Sequence, residues 1–244
     1  MTTAGEVIVL MVSLSDQHDG LWELLDSDER ERANGFYFAR DRYDYIAAHG
    51  LLRLVLGRQL GVDPRALRFG RGRHGKPHLV PPTELRFNLS HTHGLIAVAF
   101  CRGRDVGVDV EAVREASKIE AIGRQFFSPE EVEDILALPP ADQRAAFFRC
   151  WTRKEALIKA TGMGLSLPLD TFRVSTGFAI VPRGQRWWRQ EGPRCTQWSI
   201  MDVRAAAKGY VAALAANGPA LTASQERPNP IADAGAAATC WRFE

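Results

Sequence analysis

The sequence predicts an α+β fold made of two half-domains with a cleft between them. β-Branched apolar runs and amphipathic helical runs occur twice along the chain in a loosely similar order. A length of 244 residues can bury one large core or two small ones. The expected boundaries are 1–103 for the first half and 104–216 for the second, with a loose Ala-, Pro- and Gly-rich tail over 217–244.

The elements follow in order. Val7 to Leu14 is apolar and β-branched, a buried strand. Ser27-Asp28-Glu29-Arg30-Glu31 starts a charged helix, with Ser27 as N-cap and early acids at its positive end. From Asp41 to Gly61 the spacing of Tyr45, Ala48, Leu52, Val55, Leu56 and Leu60 predicts a core helix stopped by Gly61. The glycines and proline of 69–78 predict a loop presenting Arg71, Arg73, His74 and Lys76. Leu85–Asn88 and Leu95–Phe100 read as strands around a turn at 90–94, and Val106–Glu111 follows as another strand.

Further on, 119–127 is helical, and Ser128-Pro129-Glu130-Glu131 opens a helix with Pro in its first position and Glu131 completing a capping box. Residues 141–160 form a long helix closed by Gly162. Phe172–Ser175, Ala179–Val181, Gln197–Met201 and Tyr210–Ala215 are expected as strands of a second sheet.

Composition narrows the function. The apolar fraction of 45% and charged fraction of 25% are those of an ordinary globular protein. A net charge of +2, from 31 basic and 29 acidic residues, gives no bulk drive onto nucleic acid. The four cysteines are widely spaced, which indicates neither a zinc site nor a disulfide framework. With no signal core read at the start and no apolar run near the ~20 residues that span a bilayer, the expected place is a reduced cytoplasm, away from membranes.

Two stretches carry the chemistry. In Gly107-Val108-Asp109-Val110-Glu111 the valines alternate with the acids, so Asp109 and Glu111 project from one face ~7 Å apart along the strand. Trp151, Glu155 and Lys159 recur at intervals of four along one helix face. If that helix crosses the strand, three carboxylates and a lysine converge, and such hard oxygen ligands suit Mg²⁺ with room for substrate oxygens. Each stretch alone also reads as a solvated strand end or an exposed helix pair. The Gly-Arg-Gly-Arg-His-Gly-Lys loop gathers arginine forks that suit phosphate, or is a solvated basic turn. His91 and His93 form a His-x-His pair without a third zinc ligand at suitable spacing. There is no Walker loop, no dinucleotide-binding glycine fingerprint and no nucleophile elbow. Metal-assisted chemistry on a phosphate-rich substrate remains.

Phe87-Asn88-Leu89-Ser90-His91, Gly107 to Glu111 and Trp151 to Lys159, in this order and spacing, resemble the signature of the 4′-phosphopantetheinyl transferases of the surfactin-synthetase-activating type. Gly75-Lys76-Pro77, Phe126-Phe127-Ser128, residues 164–169, Arg30-Glu31-Arg32 and Phe38 to Asp41 extend the likeness from about Ser27 to Val174. The resemblance implies a pseudo-dimeric monomer of two similar α/β halves with coenzyme A in the cleft. It implies transfer of the phosphopantetheine arm to a serine of an apo acyl, peptidyl or aryl carrier protein, releasing adenosine 3′,5′-bisphosphate. By motif match Asp109, Glu111 and Glu155 hold Mg²⁺, with Mn²⁺ as an alternative. Arg32, Arg71 and Lys76 grip the adenosine 3′-phosphate region from the first half, with Asn88 and Ser90 beside the coenzyme. His91 contacts a phosphate, Glu155 serves as base, and Lys159 neutralises or protonates the leaving phosphate. Lys154 faces either the coenzyme or solvent. An apolar surface over 126–138, flanked by Arg124 and Arg144, is expected to dock the carrier. The competing readings are a non-catalytic coenzyme A or nucleotide-binding module and a metal-dependent phosphohydrolase.

Overall fold

The computed structural model describes residues 4–14, 20–115, 118–177, 185–191, 194–227 and 238–243. Two antiparallel sheets pack face to face, and each carries one long helix on its outer side. The first sheet contains β1 (Val7–Ser13), β4 (Leu85–Thr92), β5 (Leu95–Arg102), β10 (Ala223–Arg227) and β11 (Ala238–Phe243), in the order β10-β11-β1-β5-β4. The second contains β6 (Val106–Ala112), β7 (Gln185–Glu191), β8 (Arg194–Val203) and β9 (Tyr210–Asn217), in the order β6-β9-β8-β7. In each half the opening strand pairs with the last strand of a later hairpin, β1 with β5 and β6 with β9. The expected α+β architecture of two similar halves is thus what the chain adopts.

Alternation along β1 explains why it is apolar throughout. Ile8, Leu10 and Val12 pack under helix α2 (Ala39–Leu60), while Val7, Val9 and Met11 face the second sheet. A third cluster lies between helix α5 (Pro140–Thr161) and the outer face of the second sheet. Burying a side chain of this size contributes roughly 1.5–3 kcal/mol, so three such layers hold two halves and their junction.

The halves also share an ionic device. The eight-residue helix α1 (Ser27–Asn34) opens with a capping box of Asp26 and Glu29, and Glu29 pairs with Arg53 of α2 at 2.6 Å. Helix α4 (Pro129–Leu136), also of eight residues, opens with a capping box of Ser128 and Glu131, and Glu131 pairs with Lys154 of α5 at 2.7 Å. Arg53 and Lys154 occupy the same position in two 22-residue helices. Each cation then donates to carbonyls of the segment after its helix, Pro64 and Leu67 in one case, Leu169 and Phe172 in the other. Both helices end on a glycine at φ 68°, Gly61 and Gly162, a left-handed cap that favours glycine.

Several local expectations need correction. Asp26, not Ser27, caps α1, because its extended backbone lets the carboxylate accept from Glu29 N while Glu29 returns the bond. The basic segment is no free loop: β2 (Phe69–Arg71) pairs with β3 (Pro77–Leu79), and Gly70 allows it, since a Cβ there would lie 2.7 Å from His78 Nε2. β4 runs through Ser90 and His91 to Thr92, because a two-residue turn at His93-Gly94, with Gly94 at φ 82°, suffices. Phe172–Ser175 is not a strand, its backbone groups being bound by Lys154 and Glu131. Ala179–Val181 lies outside the described residues. The tail expected to be loose over 217–244 is not so where it is described. β11 inserts between β10 and β1, with Cys240 opposite Leu10 and both in the first core. Among the described residues no helix is long and apolar enough to cross a membrane.

Candidate active site

Helix α5 lies directly on β6, and the sequence makes that possible at one residue. A Cβ on Gly107 would stand 2.2 Å from Ala156 O and 2.3 Å from Ala160 N, so only glycine lets the backbones touch. With a period of two, Asp109 and Glu111 then point the same way as Gly107, toward the helix. Lys159 reaches down to donate to Asp109 Oδ1 at 2.6 Å and to Ser90 Oγ at 2.9 Å, and Ser90 Oγ donates to the same Asp109 oxygen at 2.9 Å.

Strand β6 is an edge of its sheet, and β4 of the other sheet lies alongside it. Two side chains stand in for a ladder: Asn88 Oδ1 accepts from Val108 N at 2.9 Å, and Ser90 Oγ accepts from Val110 N at 3.4 Å. Tyr210 adds a bond from its hydroxyl to His93 O at 2.8 Å, tying the β4–β5 turn to the second half.

A cleft runs along this junction as two cavities sharing Pro77, Asn88 and Leu89. The smaller, about 310 Å³, is lined by Glu155, Lys159, Ile158 and the Gly75-Lys76 turn. The larger, about 500 Å³, is lined by Arg32, Arg71, Tyr45, His49 and His91, with Asp26 and Glu29 behind them. Lys76, Lys159 and Glu155 thus sit at one end, and Arg32 and Arg71 with Asp26, Asp28 and Glu29 at the other. That arrangement suits an elongated substrate carrying phosphate at both ends of the groove.

The electrostatics separate the acids by role. Burial first, and then the Asp109 charge, push the Glu155 carboxyl above its ordinary range, with Lys159 opposing. Glu111 is raised for the same two reasons, with Glu155 adding to the effect and Arg114 and Lys159 opposing it. Asp109 is 4% exposed, and its Oδ2 is buried without a hydrogen-bond partner. A buried carboxylate oxygen left unpaired costs free energy that a cation would offset. The residues therefore fit a divalent ion with oxygen ligands. Yet among the described residues no three acid, histidine or cysteine side chains form a ready-made metal cage. His91 is exposed on the cleft wall, where desolvation by the surrounding protein, together with His49 and Lys159, holds it below its ordinary value.

Glu155 and Lys159 line the smaller cavity, with Asp109 and Ser90 bound to Lys159 behind it; Arg32, Arg71 and His91 line the larger one, and Asn88 borders both. Glu111, like Asp109, lines neither cavity, and it lies near enough to Asp109 and Glu155 to feel their charge. Lys76 lies in the smaller cavity, but its ammonium is taken by Val106 O at 3.2 Å and Ala160 O at 2.7 Å. Lys154 faces neither solvent nor the cleft. It is fully buried on Glu131, about 100° around the helix from Glu155. The surface expected over 126–138 is mostly turned inward, with Phe127, Val132 and Ile135 buried beside Phe147. Arg124 is paired with Glu120 on helix α3 (Ile119–Phe126), and Arg144 lies 3.8 Å from Glu115.

Sequence reasoning passed over the wall behind the larger cavity. His49 Nδ1 meets Glu29 Oε1 at 3.1 Å, and its ring stacks on Tyr45 at 4.0 Å between centroids. Burial works against the Glu29 charge, but bonds with His49 and Arg53 outweigh it and lower its pKa. Burial and Glu29 raise the Tyr45 hydroxyl to about 12. The available signals were an arginine set within the apolar run 51–56 and an Asp-x-x-Glu spacing at 26–29.

The fold and site define a two-lobed phosphate-handling enzyme, and comparison with known proteins sharpens that class. The model of the 4′-phosphopantetheinyl transferase superfamily matches residues 105–215, and that of the N-terminal part of a 4′-phosphopantetheinyl transferase matches 13–102. The 4′-phosphopantetheinyl transferase HetI of Nostoc sp. is 40% identical over 169 residues, covering 67% of this chain and 71% of that protein. The 4′-phosphopantetheinyl transferase Sfp of Bacillus subtilis is 32% identical over 159 residues, covering 65% and 70%. The chain belongs to the 4′-phosphopantetheinyl transferase superfamily and is an enzyme of the Sfp type.

Proposed function

We propose that the protein transfers the 4′-phosphopantetheine arm of coenzyme A to a serine hydroxyl of an apo carrier protein, acting as a monomer. The observation that carries this reading is the contact of Lys159 with Asp109 and Ser90 at the end of a cleft whose other end holds Arg32 and Arg71. In the reaction the serine oxygen bonds to the phosphorus bearing the pantetheine, the bond from that phosphorus to the bridging oxygen breaks, and adenosine 3′,5′-bisphosphate departs. Arg32 and Arg71 bind the adenosine 3′-phosphate region, and His91 contacts a phosphate. Glu155 takes the serine proton. Lys159 neutralises charge growing on the leaving phosphate, held in place beforehand by Asp109 and Ser90.

Asp109 and Glu155, with Glu111 as a further candidate, would hold Mg²⁺. The ion would supply positive charge to the pyrophosphate and complete its shell with substrate oxygens. The unpartnered Asp109 Oδ2 supports this assignment. Nothing favours the binding-module or phosphohydrolase readings, since acid, lysine and arginine ends are all in place. Incubation with coenzyme A, Mg²⁺ and an apo carrier protein tests the reading. A carrier mass increase of one phosphopantetheine is expected. Coenzyme A cleavage with an unmodified carrier would make it a hydrolase, and no change in either would leave only a binding module.

A further inference from the structure

Lys76 belongs to the first half but spends its charge on the second. It lies between β2 and β3, its stem rests on Gly162, and a Cβ added there would come within 3.0 Å of Lys76 Cδ. Its ammonium donates to Ala160 O at 2.7 Å and Val106 O at 3.2 Å. Ala160 O is among the last four carbonyls of α5, which have no partner within the helix and carry the negative end of its dipole. Val106 opens β6, next to the glycine where strand and helix backbones touch. One cation therefore clamps the two backbones at their point of closest approach. Lys159 directly precedes Ala160 in the chain, and Asp109 follows shortly after Val106. The 2.6 Å contact between Lys159 and Asp109 depends on the register so fixed.

We propose that Lys76 is a positioning residue, an inter-lobe strut that holds the end of α5 in register with β6, and not a ligand of the coenzyme's 3′-phosphate. The inference rests on the transferase reading. Two of the three ammonium protons are committed to carbonyls. Burial, with Arg86 acting the same way and Asp105 opposing, brings its pKa down to about 8. His74, His78, Glu155 and Lys159 are the other titratable groups lining the cavities beside it.

Steady-state transfer with coenzyme A and with 3′-dephospho-coenzyme A separates the two roles. For Lys76→Met, kcat should fall roughly 10- to 100-fold with both donors alike, the scale expected from misplacing reacting groups. The preference in KM for the 3′-phosphorylated donor should survive, whereas Arg71→Ala should erode it. A rise in KM for coenzyme A alone, or unchanged kinetics, would overturn the strut. If Lys76→Met does not fold, the wild type still decides. Above about pH 8 a strut predicts kcat declining in parallel for both donors, while a phosphate ligand predicts a rising KM for coenzyme A only. A wild type that transfers nothing would overturn the transferase reading instead.

Discussion

Helices α2 and α5 are built alike and used differently. Both run for 22 residues, bury a cation at the same position against a capping-box glutamate, and stop at a left-handed glycine. Where α5 carries Glu155 and Lys159, however, α2 carries Leu54 and Arg58. The strands beneath differ in the same sense. Ile8, Leu10 and Val12 fill the face under α2, while Gly107, Asp109 and Glu111 occupy the matching face under α5. One half kept the apolar version of a shared scaffold, and the other exchanged packing for charge. The first half contributes instead through its open flank, where Asp26 and Glu29 border the larger cavity. In the second half the corresponding pair, Ser128 and Glu131, is sealed, and Lys154 is buried with it.

The strongest way to break this contrast is Asp109→Asn, which removes the charge that distinguishes β6 from β1. Carrier phosphopantetheinylation, followed by mass spectrometry, should fall by roughly 10³-fold, the scale of several kcal/mol of lost charge stabilisation. Next comes stability. Lys154→Met leaves Glu131 charged in a sealed site and should cost about 3–5 kcal/mol in urea unfolding. Arg53→Met should cost less, about 2 kcal/mol, because Asp26 and Glu29 retain water on the cavity side.

A third test uses pH. Glu111 and Glu155 have raised folded-state pKa values, so folding holds their protons more tightly than the unfolded chain does. Their contribution favours the fold in acid and is lost as pH rises through those folded values. Mg²⁺ should therefore raise Tm at neutral pH and have no effect once the acids are protonated, and thermal scans with and without chelator check this. The smallest effect concerns the open flank. Arg32→Ala should raise KM for coenzyme A about tenfold and leave kcat nearly unchanged, consistent with loss of one charge-assisted hydrogen bond.

The site was more legible in the sequence than the fold around it. Asp109, Glu155 and Lys159 follow from a period of two and a period of four, which are local rules, and Gly107 supplies the close approach that joins them. What stayed hidden depends on distant partners. Lys154 cannot be assigned to the core without knowing that Glu131 lies beneath it, and Lys76 cannot be read as a tie without the carbonyls of Val106 and Ala160. The strand at 238–243 was masked by its alanine-rich approach, since its pairing with β1 spans most of the chain. The short hairpin at 69–79 was obscured because glycine and proline disfavour strands in general, yet here Pro77 opens β3 and Gly70 sits mid-strand opposite His78.

That late strand has a consequence for how the molecule is made. β11 sits between β1 and β10, so the sheet begun at Val7 gains its remaining neighbours only after the second half has been synthesised. Emerging β1 must wait with one edge bare through more than two hundred residues of translation. The halves are therefore not separable modules, and a cut between them would leave an amino-terminal fragment prone to aggregate.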